Sequence, residues 1–164
     1  MRQILFKTGD SSYSPLVIRI LLGVVLFAHG AQKLLGWFGG YGFNGTMSYF
    51  TDTVGLPWII GFLVIIIESI GAISIFFGFA TRLWSIGVSL LTIGIIITAH
   101  SDHFFMNWYG SQRSEGFEYF LLMLGMSISL VTSGAGRISV DALLDKKTTS
   151  PQKQDSYSLS SVRA

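Results

Sequence analysis

A few polar side chains stand out because the segments around them are apolar. His29, Gln32 and Lys33 sit at the end of one apolar run in LFAHGAQKLLGWFGGYGFNG, Glu68 interrupts a second, His100 closes a third and Glu118 opens a fourth. Ionisable groups are costly at membrane depth, face a bundle interior when they occur there, and mark functional sites. Histidine and carboxylate side chains move protons near neutral pH, and lysine or glutamine donates hydrogen bonds to a developing oxyanion. Brought together, these residues would form a polar network able to hold a ligand and exchange protons with it.

Four apolar segments must position them. Polar residues precede Pro15, which opens a run to Leu35 long enough to cross a bilayer. This run exceeds an ordinary signal-peptide core and no small-residue cleavage pattern follows it. A second span runs from 57 to 80, a third from 83 to 100 after a tight turn at Thr81 and Arg82, and a fourth from 117 to 135. Between the first two lies a glycine- and aromatic-rich loop in which Asn44 would cap a short helix. Between the last two lies DHFFMNWYGSQRSEG. Ser85, Ser89, Thr92 and Ala99 share one face of the third span, and Gly125, Ser129 and Gly136 recur at helical spacing, so both sets are expected to face neighbouring helices. The domain plan is a segment 1–14, a membrane domain 15–141, and a tail 142–164 too rich in Ser, Thr, Lys and Gln to order itself.

The positive charges give the orientation. Arg2, Lys7, Arg19, Arg82, Arg137, Lys146, Lys147, Lys153 and Arg163 fall on one side, against Lys33 and Arg113 on the other. Cytoplasmic loops carry such an excess, so both termini are expected in the cytoplasm and the aromatic loops on the outer side. Trp37 and Trp108 belong to those loops, either as an interfacial belt or as a lid over the polar residues.

Composition excludes several classes. Of 164 residues, 50% are hydrophobic and 12% charged, about half the charge of a soluble domain. The chain reads as an all-α integral membrane protein with no separate catalytic domain. No cysteine is present, so disulfides, thiolate metal sites and thiol redox chemistry on this chain are excluded. The net charge of +2 is scattered and forms no nucleic-acid footprint. No flavin or nucleotide motif occurs. The histidines permit a haem or metal reading, but Glu-x-x-His on paired helices is missing and a polar network explains them with fewer assumptions.

Helical rise places Glu68 roughly 16 Å below Pro57 and His29 roughly 10 Å below its helix end. All four spans thus deliver an ionisable group to the outer half of the membrane. His29, Gln32, Lys33 and Gly36 share a face, as do Gly61, Glu68, Gly71, Ala72 and Gly78. Glu68 is expected to pair with His29 or Lys33, either as part of a site or as a structural ion pair fixing helix register. Glu115 is read as a helix-dipole carboxylate, whereas Glu118 points inward toward His100 or His103. The interval from Ala28-His29 to Trp37-Phe38-Gly39 repeats from Ala99-His100 to Trp108-Tyr109-Gly110, which fits two helical hairpins related by a parallel repeat.

The motifs HGAQKLLGWFGGYG, Glu68-x-x-Gly71 followed by Gly78 and Thr81-Arg82, and HFFMNWYGSQRSEGFEY followed by GAGRISVDALL resemble those of the DoxX family. The resemblance covers residues 15 to 144 and implies a four-helix protein of a bacterial inner membrane. The family was named through a subunit associated with thiosulfate:quinone oxidoreductase, and other members are linked to quinone or redox stress. Positions matching its polar pattern are His29, Gln32, Lys33, Glu68, Arg82, His100, Asn107, Glu118 and Asp141. Of these, the resemblance implies a topological or structural role for Arg82 and Asp141 at the cytoplasmic end.

The reading is a membrane subunit of quinone-linked oxidoreduction. His29, Glu68 and Glu118 would move protons, and Gln32, Lys33, His100, Asn107, Trp37 and Trp108 would hold a quinone-like ligand. No metal site is expected. Electrons would come from a membrane or periplasmic redox partner, with the bilayer as solvent and a homo-oligomer permitted. The alternatives are a non-enzymatic scaffold or assembly subunit, and a small-solute or proton carrier.

Overall fold

The computed structural model describes residues 13–99, 102–112 and 115–149, all helix, turn or loop, with no strand among them. Helix α1 spans Ser14–Leu35. Pro15 starts it, where a missing amide costs nothing, and Gly36 ends it in the left-handed region at φ 74°. A single 3-10 turn, Trp37–Gly39, and the short helix α2, Gly42–Ser48, follow. Asn44 lies inside α2, whose N-cap is Tyr41, so it is not the cap that its side chain suggested. The chain then passes through a π-helical turn at Tyr49–Thr53.

Helix α3, Trp58–Phe77, is continuous but contains a second π-helical turn, Ile67–Gly71. Gly78 stops it at φ 71°, and the turn closes at Ala80, itself at φ 48°. Helix α4, Thr81–Ala99, therefore begins at Thr81 and Arg82, which are helical and not the turn. The reason is Asp141, whose carboxylate accepts the Ala80 amide at 2.7 Å and the Thr81 amide at 2.9 Å and so caps α4 from outside. Helix α5 is Glu118–Ser133 and α6 is Val140–Thr149.

Three helices are long and apolar enough to cross a membrane: Ser14–Leu35, Trp58–Phe77 and Thr81–Thr98. The apolar α5 is shorter, at 16 residues. All four contribute to one core built from Leu22 and Leu26, Ala72 and Ile75, Val88, and Met123 and Leu130. Helix α1 packs along α3, and α4 packs along α5. The small face of α3 is buried as its spacing predicts, through Gly61, Glu68, Gly71, Ala72 and Gly78. Ser85 and Thr92 are fully buried, and Ser89 joins Ser127 of α5 hydroxyl to hydroxyl at 2.8 Å. On α5, however, the buried stripe is Met123, Ser127 and Leu130. Gly125 faces open space, because the larger side chains one position round the helix fill the interface.

The tail also departs from expectation at its start. Residues 142–149 continue α6, because Asp141 anchors that helix to the α3–α4 turn and its own amide donates to the Gly78 carbonyl at 2.9 Å. The rest of the tail, the segment 1–12, His100 and Arg113 lie outside the described residues.

Candidate functional site

Glu68 is 5% exposed and lies in the π turn of α3. A π turn inserts one extra residue per turn and rotates the side chains that follow, which is why such turns collect at functional sites. On α1, Gly30 lets the two backbones touch, since a Cβ there would collide with the Glu68 carbonyl. This close crossing brings the Lys33 ammonium, one helical turn further on, against Glu68 Oε2 as an ion pair. Lys33 is the partner of the two that its spacing allowed. His29 lines the same cavity as the pair.

That cavity is about 570 Å³. His29, Lys33, Glu68 and Glu115 are part of its lining, and the rest is mainly aliphatic and aromatic, from Leu26, Val64, Leu91 and Ile95 to Phe120 and Met123. Tyr49 and Phe50, from the other π turn, also border it, with Met106 from the second loop. The size and the ratio of apolar wall to a few converging polar groups are those of a small-molecule site.

The remaining candidates are placed elsewhere. Glu118 does not line the cavity and does not turn toward His103. Its Oε1 accepts the Met106 amide at 2.9 Å and the Trp108 indole N–H at 3.2 Å, so it ties down the loop in front of α5. Glu115, read from sequence as a dipole carboxylate, is the residue that borders the cavity, and its Oε2 accepts the Asn107 amide at 2.9 Å. Asn107 spends its side chain on Gln112, donating to the carbonyl at 3.0 Å and accepting the amide at 3.1 Å. Trp108 is 78% exposed and Trp37 53% exposed. Trp37 packs edge-on against Phe27 and Phe38, and neither tryptophan lines the cavity, whereas Tyr49 and Phe50 do. Gln32 donates to the Phe38 carbonyl at 3.4 Å. Tyr119 and Thr98 line the cavity without having been singled out. Each stands one or two residues from a candidate that was, Glu118 and His100, and only the helix phase distinguishes them. Among the described residues no three His, Asp or Glu side chains gather as metal ligands would.

The opposite end holds its charges differently. Arg82 donates to the Val131 and Thr132 carbonyls, each at 3.0 Å, closing the C-terminal end of α5. Arg19, counted from sequence only for topology, is 3% exposed and donates to the carbonyls of Phe76 and Ile138. Asp141 is 1% exposed. Burial pushes its carboxyl above the usual range, and the Thr81 and Ala80 amides with Arg19 draw it part of the way back.

Apolar helices around one core, with a half-buried ion pair beside a mostly apolar cavity, define a small helical membrane protein. The family model of DoxX matches residues 14–101. "Putative oxidoreductase CatD" of Bacillus subtilis (strain 168) is 32% identical over 131 residues, 80% of this chain and 87% of that protein. "Inner membrane protein YqjF" of Escherichia coli (strain K12) is 33% identical over 138 residues, 80% of this chain and 92% of that one. The chain belongs to the DoxX family and is a multi-pass protein of the inner membrane. No solved structure matches it.

Proposed function

We propose that this protein is a membrane subunit of quinone-linked oxidoreduction that binds a quinone-like lipophilic molecule in the cavity between α1, α3, α4 and α5. The observation that carries the reading is that the Lys33–Glu68 pair and His29 border a cavity whose wall is mostly apolar. This donor set fits such a ligand. The Lys33 ammonium would lend positive charge to a carbonyl oxygen as negative charge develops there. His29 and Glu68 would exchange protons with it, and the apolar walls would hold the ring and the start of a tail. The name of the Bacillus subtilis relative agrees with redox work. Electrons would come from a membrane or periplasmic partner protein.

The same reading places both termini in the cytoplasm and the aromatic loops outside, with α5 as the fourth crossing. At 1.5 Å per residue α5 covers about 24 Å, less than a hydrocarbon core of about 30 Å, a mismatch that local thinning or flanking residues absorb. A scaffold role is the second reading, favoured by the close Gly30–Glu68 crossing that the ion pair would hold in register.

Gentle purification from native membranes, with mass spectrometry of every bound molecule, separates the two. Retention of a quinone by the wild type and its loss in Glu68→Gln is the expected result. Co-purifying proteins without any redox molecule, released by Glu68→Gln, would establish the scaffold instead.

A further inference from the structure

A second concavity, about 590 Å³, lies at the opposite end of the bundle, between the first turns of α1, the end of α3 and the segment leading into α6. Three cations border it: Arg19, Arg137 and Lys146. No Asp or Glu does. The rest of its wall is mainly aliphatic and aromatic, including Phe77 and Leu143, which are 59% and 62% exposed. The three cations differ in one respect. Arg137 and Lys146 are exposed, whereas Arg19 is buried, with its two terminal nitrogens on backbone carbonyls and its Nε without a hydrogen-bond partner. Asp141, a counter-charge that acts on Arg19, has its carboxylate oxygens on the Ala80 and Thr81 amides.

We infer that this groove is a binding site for one anionic phospholipid, with the headgroup phosphate between Arg137 and Lys146 over the Arg19 guanidinium and an acyl chain along Phe77 and Leu143. Two features select a lipid over a free anion. The cations stand at one end of helices long and apolar enough to cross the bilayer, and the wall beside them is apolar and exposed, as an acyl chain requires. Basic pockets between membrane helices recognise headgroups in this manner, and each cation near an anionic surface is worth about 1 kcal/mol. The site is independent of the quinone reading, because it shares no lining residue with the outer cavity.

The test is native mass spectrometry of the full chain in micelles doped with equal phosphatidylglycerol and phosphatidylcholine. The wild type should retain phosphatidylglycerol preferentially, and Arg137→Gln with Lys146→Gln should lower that preference roughly ten- to thirty-fold. Arg19 is left in place because it holds two helix ends. Arg137→Lys with Lys146→Arg keeps the charge and should keep the preference, and the melting temperature in neutral detergent should be the same in all three. Equal retention of both lipids by the wild type, or an undiminished preference in the Gln variant, overturns the site. Stabilisation by inorganic phosphate equal to that by phosphatidylglycerol overturns the lipid assignment.

Discussion

The two ends of the bundle both bury charge, and they spend it on different partners. At the α3–α4 turn, Asp141 holds two amides, Arg82 two carbonyls and Arg19 two more. Apart from the Ile138 carbonyl, which lies in the segment before α6, these are backbone groups that helix ends leave orphaned, and satisfying them is structural work. Toward the other end, Glu68 and Lys33 hold each other, and both line a cavity together with His29. A side-chain pair beside a void can exchange one partner for a ligand, whereas a cap cannot be released without fraying a helix. The comparison also sorts the second loop. Glu118 and Asn107 bind backbone and indole groups and belong with the clasps, although their positions in sequence group them with the site.

The sharpest way to break this division is Asp141→Ala. It strands two buried amides, so a loss of about 3 kcal/mol or more is expected, seen as a fall in melting temperature in detergent together with loss of any bound ligand. A stable Asp141→Ala protein would show that the clasp is dispensable. Arg82→Gln comes next. It removes two charge-assisted bonds at a helix C-terminus and should cost about 1.5 kcal/mol, with ligand retention intact in the folded fraction. Glu118→Ala has the smallest effect, about 1 kcal/mol, with faster proteolysis between 104 and 112. Ligand affinity should stay within about twofold, the small change expected away from a site. A selective loss of binding without loss of stability would return Glu118 to the site.

The sequence carried three of the spans, since long apolar runs have few other uses, and it narrowed the partner of Glu68 to His29 or Lys33, since opposite charges in neighbouring membrane helices attract. The small face of α3 followed from spacing alone. What spacing could not resolve was helix phase and loop path. Glu115 and Glu118 exchange the roles expected of them because α5 starts at Glu118 and the preceding loop folds back under it, placing Glu118 on the Met106 amide. Arg19 was read as one topological cation among several, because its partners are carbonyls from α3 and from the approach to α6, 57 and 119 residues away. Composition misjudged 142–149 for a similar reason: what orders α6 is one buried carboxylate, not the apolar content of the tail.

The central claim is that the Lys33–Glu68 pair serves the cavity and not the fold, and one double variant tests it. Lys33→Met with Glu68→Leu replaces the pair by apolar side chains, an exchange that is often neutral or stabilising when a buried ion pair has only a structural role. Its bound-ligand content and melting temperature should be measured together after gentle purification. An unchanged or higher melting temperature with the bound quinone lost is the predicted result. Full retention of the quinone by the double variant would contradict the assignment.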